Sequence, residues 1–285
     1  MTTRVLCLVA ITLVIAGPLE SVSWGQGTLF RWRSDSPAGG PDLDEPLVTD
    51  RPDFTEASVT VGKDVLQIEF GYTFAQNDDG GVREQAHSWG EPLFRYGLLQ
   101  DWLEFRIAVF PETANTSALG FTDHTSGAEH IYLGFKLALT GQDGFLPETA
   151  LVPQMTVPTD SGDSTNDRVL PGANLLYGWD INDCIATAGS TQFNLARDGG
   201  SGGEYVEFAQ SWTIAYSLTD ELGAYTEWFA LIPAGDDTEH TQHYFDGGFT
   251  YLLTDDIQWD IRAGIGLNEA ADDFFIGTGL SVRFK

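Results

Sequence analysis

LQIEFGYTF, residues 66 to 74, decides the fold class. Leu66, Ile68, Phe70, Tyr72 and Phe74 alternate with Gln67, Glu69, Gly71 and Thr73. A period of two sends the two sets to opposite faces of an extended strand. One face is apolar and the other polar, so the strand separates two very different surroundings.

The pattern recurs along the chain. LEFRIAV (103–109) sets Leu103, Phe105, Ile107 and Val109 against Glu104 and Arg106. IYLGFKLAL (131–139) opposes Ile131, Leu133, Phe135 and Leu137 to Tyr132, Gly134 and Lys136. IQWDIRAGIGL (257–267) opposes Ile257, Trp259 and Ile261 to Gln258, Asp260 and Arg262. The last segment, FFIGTGLSVRFK (274–285), sets Phe274, Ile276, Leu280, Val282 and Phe284 against Phe275, Gly277, Gly279, Ser281 and Arg283. A half-buried soluble sheet also alternates. Strand length argues against it, because many of these segments run about nine to eleven residues, the span of a tilted transmembrane strand.

Loop lengths sharpen the reading. Short polar turns at 62–64, 100–101, 141–144, 182–183, 219–220 and 254–256 alternate with longer hydrophilic stretches at 77–88, 112–127, 159–168, 196–204, 234–242 and 268–273. Strand, long loop, strand, short turn repeats about six times, giving about twelve strands. Short turns at one end and long loops at the other mark an outer-membrane barrel, with the short turns periplasmic. The expected fold is therefore all-β: a transmembrane antiparallel up-and-down barrel of about 12 strands, with short periplasmic turns and long extracellular loops. Trp102, Trp179, Tyr216, Tyr251 and Trp259 stand near strand ends, where an interfacial aromatic girdle belongs.

Composition bounds the partners. The formal charge is −28, from 14 basic and 42 acidic side chains, which repels nucleic acid. Arg4 followed by VLCLVAITLVIAG (5–17) and Pro18 reads as an export signal, with cleavage near Ser23 or Gly25. The expected division is signal peptide 1–25, a flexible periplasmic lead-in or lumen plug 26–60, and barrel 61–285. Cys184 then stands alone in the mature chain, without a disulfide partner.

At this point a resemblance is visible. TDRPDFTEA (49–57) followed by VTVGKDVLQIEFGYTF resembles the opening of the outer-membrane family named for the meta-pathway of phenol degradation. EPLFRYGLLQDWLEFRIAV is similar to its next hairpin, and GAEHIYLGFKLAL and LVPQMTVPT to the two strands after it. The resemblance covers roughly residues 47 to 285. It implies an outer-membrane barrel often labelled a transporter. It carries no catalytic residues and no established substrate. The terminal strand with Phe284 resembles the signal read by the barrel assembly machinery, although Lys285 follows the Phe.

The candidate functional residues are the charges on the lumen face: Glu69, Arg95, Glu104, Arg106, Lys136, Glu207, Glu227, Asp260, Arg262 and Arg283. They either line a small polar pore or pair up and close it. Residues 49–57 are read either as a plug or as a loosely ordered lead-in. As a plug, Asp50, Asp53 and Glu56 are expected to meet Arg106, Arg262 or Arg283, and Arg51 to meet Glu69 or Glu104.

Other chemistry is weakly signalled. His87, His124, His130, His240 and His243 fall in long loops or at their edges. Glu239, His240 and His243, and separately Asp160, Asp163 and Asp167, read as solvated loop residues rather than metal sites. Ser88 beside His87 has no triad pattern and no G-x-S-x-G, and Glu221 and Glu227 are unremarkable in so acidic a chain. No cofactor or metal is expected. The expected function is passive or facilitated diffusion of small solutes, with hydrophobic or aromatic compounds among them, across the outer membrane of a Gram-negative-type bacterium. The alternatives are a closed structural or adhesive barrel whose acidic loops bind partners, and an outer-membrane hydrolase.

Overall fold

A computed structural model describes residues 27–109, 112–118, 121–127, 130–158, 168–197, 203–235 and 240–285. The expected signal peptide lies outside the described residues, as do most of the loops at 159–168 and 196–204. Fourteen strands occur in chain order: β1 (Leu66–Asp79), β2 (Val82–Gly97), β3 (Leu103–Val109), β4 (Glu112–Ala118), β5 (Phe121–Gly127), β6 (His130–Thr140), β7 (Glu148–Pro158), β8 (Leu170–Asn182), β9 (Ile185–Arg197), β10 (Glu204–Ser217), β11 (Leu222–Ala234), β12 (Gln242–Thr254), β13 (Ile257–Gly266) and β14 (Phe274–Phe284).

Twelve of these are staves of one antiparallel barrel. Each pairs with its chain neighbour, β3 pairs directly with β6, and β1 pairs with both β2 and β14 to close the ring. Among the described residues each of the twelve staves is paired on both sides, the condition for crossing lipid with strands. β4 and β5 form a hairpin that continues the wall outward, β4 pairing with the outer part of β2.

Two hydrophilic stretches expected as loops are strand instead. Residues 77–88 belong to the long β1–β2 hairpin, which turns at Gly80 and Gly81. Residues 112–118 and 121–127 pair as the β4–β5 hairpin. Polar sequence does not prevent pairing there, because strand pairing joins backbone N–H and C=O groups whatever the side chains. His87 is consequently a strand residue, with its Nδ1 2.8 Å from the Tyr72 hydroxyl.

The two faces separate as the alternation requires. Glu69, Arg95, Glu104, Lys136, Asp260 and Ser281 are sealed from solvent on the inner face. Phe70, Phe135, Phe249, Trp259 and Ile276 are exposed on the outer one. The usual order of a soluble core is inverted, as lipid outside demands.

The segment before β1 threads the short-turn end. Leu29 and Phe30 donate backbone bonds to Ala138 and Leu139 at the end of β6, and Leu47 donates to Asp255 in the β12–β13 turn, at 2.8 Å. Those two points lie half-way round the ring from each other, so the chain crosses the barrel mouth. Gly39 passes Gly141 closely enough that an added Cβ would lie 2.6 Å from the Gly141 Cα. Residues 49–57 then dip into the lumen. The chain returns to the rim at Lys63, which bridges to Gly97.

Candidate functional site in the barrel lumen

Residues 48 to 61 have little regular structure of their own, and Pro52 removes one donor. Backbone groups buried without partners are costly. Here the barrel wall supplies partners from side chains. Glu69 accepts from the backbone N–H of Asp50 and of Arg51, each at 3.1 Å. Glu227 accepts from Phe54 N–H at 2.6 Å and Thr55 N–H at 2.8 Å. Glu104 accepts from Val61 N–H at 2.9 Å. On the acceptor side, Arg95 donates to Val48 O and Val59 O, Arg262 to Pro52 O, and Lys136 to Ala57 O. The wall charges thus act as a ladder for an otherwise unpaired strand-like segment.

Asp50 is the centre of this arrangement. Its carboxylate meets Lys136 Nζ at 2.7 Å, Arg106 Nη2 at 2.7 Å and Arg95 Nε at 3.4 Å. It also accepts from Ala57 N–H at 3.0 Å, which closes the loop on itself. Arg95 pairs in turn with both oxygens of Glu104 and with Glu69. Arg106 reaches Glu56 at 2.5 Å. Burial pushes the Asp50 carboxyl up, but the cations of Arg95, Lys136 and Arg106 outweigh it and hold the group well below the usual carboxylate range.

Arg51 forms a second anchor. It bonds Glu91 at 2.6 Å, Asp260 at 3.3 Å and the Thr278 carbonyl at 3.3 Å. Its guanidinium lies over Gly71 and Gly279, which face each other across the β1–β14 seam. A Cβ on either glycine would collide with the Arg51 guanidinium.

A third contact is aromatic. The Phe54 ring stacks on Phe229 with centroids 4.6 Å apart and planes 2° from parallel. Phe229 stacks on Tyr244 at 4.7 Å, and Phe275 and Ala271 complete the cluster. Beside it Asp53 faces Glu227 and Asp246. Burial and then these two carboxyls push its own carboxyl well above the usual range.

The geometry corrects the expected pairings in three places. Arg51 meets Glu91 and Asp260; its backbone alone touches Glu69, and Glu104 is taken by Arg95. Asp53 faces carboxyls rather than a cation. Arg283 stays at the rim, held by Asp256 at 2.7 Å and by the Glu45 carbonyl at 2.8 Å. Glu207 lies further toward the long-loop end, opposite Asn194 and Pro233 in register.

Glu91, Asp246, Gly71, Gly279 and the aromatic cluster were not singled out from sequence. The inward alternation of β12 and β14 carried the signal for Asp246, Gly279 and Phe275. Among the described residues no group of His, Cys, Asp and Glu is placed to hold a metal ion. Glu239, Asp160, Asp163 and Asp167 lie outside the described residues.

Comparison with known proteins fits this geometry. The chain is similar to the COG4313 outer membrane channel from Pseudomonas putida F1, with TM-score 0.61 and 14% identity over 82% of this chain and 99% of that one. It is also similar to the translocator domain of the autotransporter NalP from Neisseria meningitidis, with TM-score 0.50 and 12% identity over 78% of this chain and 89% of that one. At such identities the likeness concerns the fold, an outer-membrane barrel. No curated protein matches. A family model matches residues 49–284, from the lumenal segment to the closing strand, and the chain belongs to that family, described as "Putative MetA-pathway of phenol degradation".

Proposed function

We propose that the chain is a non-enzymatic diffusion channel for small solutes with an apolar or aromatic part, closed at rest by residues 49–57. The observation that carries this reading is the Phe54–Phe229 stack. It places the tip of the lumenal segment on an aromatic surface formed by Phe229, Tyr244 and Phe275 inside a wall otherwise rich in charge. Phe54 occupies the surface a planar apolar solute would use. The ionic anchors at Asp50 and Arg51 keep it there, and their release opens both the mouth and the aromatic site. The family description and the channel from Pseudomonas putida F1 agree with this reading. The charges Glu69, Arg95, Glu104, Arg106, Lys136 and Asp260 then serve first as the latch and, once it opens, as the pore lining. Phe284 on the closing strand β14 is the group through which the barrel assembly machinery reads the chain.

Liposome swelling tests the solute class, using phenyl glucoside against glucose, neither of which crosses lipid unaided. With the intact protein or with Asp50→Ala, phenyl glucoside is expected to enter faster despite its greater bulk, and Phe229→Ala to abolish that advantage. Faster entry of glucose, equal rates, or no entry with either protein contradicts the proposal.

A further inference from the structure

LFRWR, residues 29 to 33, is unusual in this chain. Two of its 14 basic residues fall within three positions, interleaved with Phe30 and Trp32, while the whole chain carries −28. The segment is fastened to the short-turn end of the barrel. Leu29 and Phe30 donate backbone bonds to Ala138 O at 3.0 Å and Leu139 O at 2.7 Å. Trp32 Nε1 donates to Pro147 O at 2.9 Å, and Arg33 pairs with Asp143 at 2.8 Å. Ser36 Oγ donates to the same Asp143 carboxylate at 2.6 Å.

Despite this fixed backbone, the apolar side chains remain open to their surroundings. Phe30 is 59% exposed and Trp32 40%, and Phe145 at the tip of the adjoining β6–β7 turn is 99% exposed. Trp179 of β8 donates to Phe145 O at 2.9 Å, and with Ile181 beyond it joins this patch to the lipid-facing belt. Held apolar side chains facing water would be unfavourable, and contiguous exposed patches mark interaction sites.

We propose that residues 29–33, with Phe145, form an interfacial anchor that seats in the phospholipid of the periplasmic leaflet. Three observations select lipid as the occupant. The patch lies at the short-turn end, level with girdle aromatics, where the headgroup layer meets the barrel. It is continuous with the lipid-facing surface. Its exposed Arg31 suits anionic headgroups, which attract basic groups, while Arg33 is held by Asp143 and Asp35; a second copy of so acidic a chain would be repelled. Phe30 and Trp32 then sit at the acyl boundary, with Arg31 at the phosphates. The anchor fixes the start of the chain that crosses the mouth, so that residues 34–48 span between two held points. This inference rests on the outer-membrane barrel and is independent of what the lumen conducts.

The test uses the full mature chain with Cys184→Ser and a single environment-sensitive fluorophore on Phe30→Cys or, as a control, on Asp42→Cys. The protein is placed in vesicles of phosphatidylethanolamine with phosphatidylglycerol. The label at 30 is expected to shift to the blue, to be quenched by spin-labelled lipid and to resist aqueous iodide, whereas the label at 42 behaves oppositely. Arg31→Ala should lower the population of lipid-seated label about fivefold, and vesicles of phosphatidylcholine alone should remove that dependence. Iodide quenching at 30 equal to that at 42 overturns the proposal. So does a blue shift that requires high protein-to-lipid ratio, which would assign the patch to a second copy.

Discussion

The Lys136 ammonium and the Asp50 carboxylate meet at 2.7 Å, with both side chains buried. Arg106 and Arg95 converge on the same carboxylate. Removing one member of a buried ionic group leaves the others uncompensated, at a cost of about 3–5 kcal/mol. Asp50→Ala is therefore expected to free the lumenal segment while the strands remain paired. Hydrogen exchange would show it: amides of Asp50, Arg51, Phe54 and Thr55 should lose protection by orders of magnitude, whereas those of β10 and β11 should not change. Unchanged protection at residues 50–55 would mean that Asp50 is not the anchor.

The glycine floor beneath Arg51 makes a separate prediction. Gly71 and Gly279 leave the room its guanidinium occupies. Gly71→Ala on the lumen face should displace Arg51 from Glu91 and Asp260 and cost about 1–3 kcal/mol, as overpacking does. A double-mutant cycle with Arg51→Ala decides the matter. The two substitutions should be strongly non-additive, because once Arg51 is gone the added carbon meets only the end of the Glu91 side chain. Additive effects would show that the glycines serve the strand seam alone.

Phe54 and Phe229 should show a measurable coupling. Stacked aromatic pairs contribute about 0.5–1.5 kcal/mol beyond their burial. Phe54→Leu should weaken closure modestly and increase binding of phenyl glucoside, since the aromatic surface is then vacant more often. Phe229→Leu should weaken closure equally and decrease that binding. Parallel changes in binding for both variants would contradict competition for one surface.

Asp50 and Asp53 respond to pH in opposite senses. The Asp50 carboxyl is held below its ordinary value of about 3.9. Its stabilisation is present above that value and is lost only as pH falls through the depressed one. Asp53 is raised, so its contribution is complete below the ordinary value and is lost as pH rises through the folded one. The groups facing it are Glu227 on β11 and Asp246 on β12, with Thr213 on β10 nearby; Arg262 on β13 reaches the adjoining Pro52 carbonyl. Protection of the Phe54 and Thr55 amides, corrected for intrinsic exchange, should therefore decline as pH rises above the acid range. Asp53→Asn should flatten that dependence. A dependence that survives this substitution would place it elsewhere.

Much of this molecule was legible because lipid and lumen impose the simplest of patterns. Alternation in 66–74, 103–109, 131–139, 257–267 and 274–284 told the two faces apart without any knowledge of pairing. The inward placement of Arg106, Lys136 and Asp260 followed from the same count. What the alternation did not contain was the partner of each inward charge. Arg51 reaches Asp260 only because β13 lies next to β14 and the chain crosses the mouth to arrive there. Glu69 and Glu227 read as pore charges, yet they accept from backbone N–H groups, for which side-chain sequence has no symbol. The hydrophilic 77–88 stretch resembles a loop because polarity alone does not show pairing, whereas in a barrel it marks only the end of the lipid.

The central claim is that residues 49–57 close the lumen, and single-channel conductance in a planar bilayer tests it most directly. Three proteins suffice: the intact protein, Asp50→Ala, and a chain lacking residues 27–57. The account predicts small or intermittent conductance from the intact protein, longer and larger openings from Asp50→Ala, and steady conductance from the truncated chain. Identical conductance from all three, with each shown to be inserted, would contradict it.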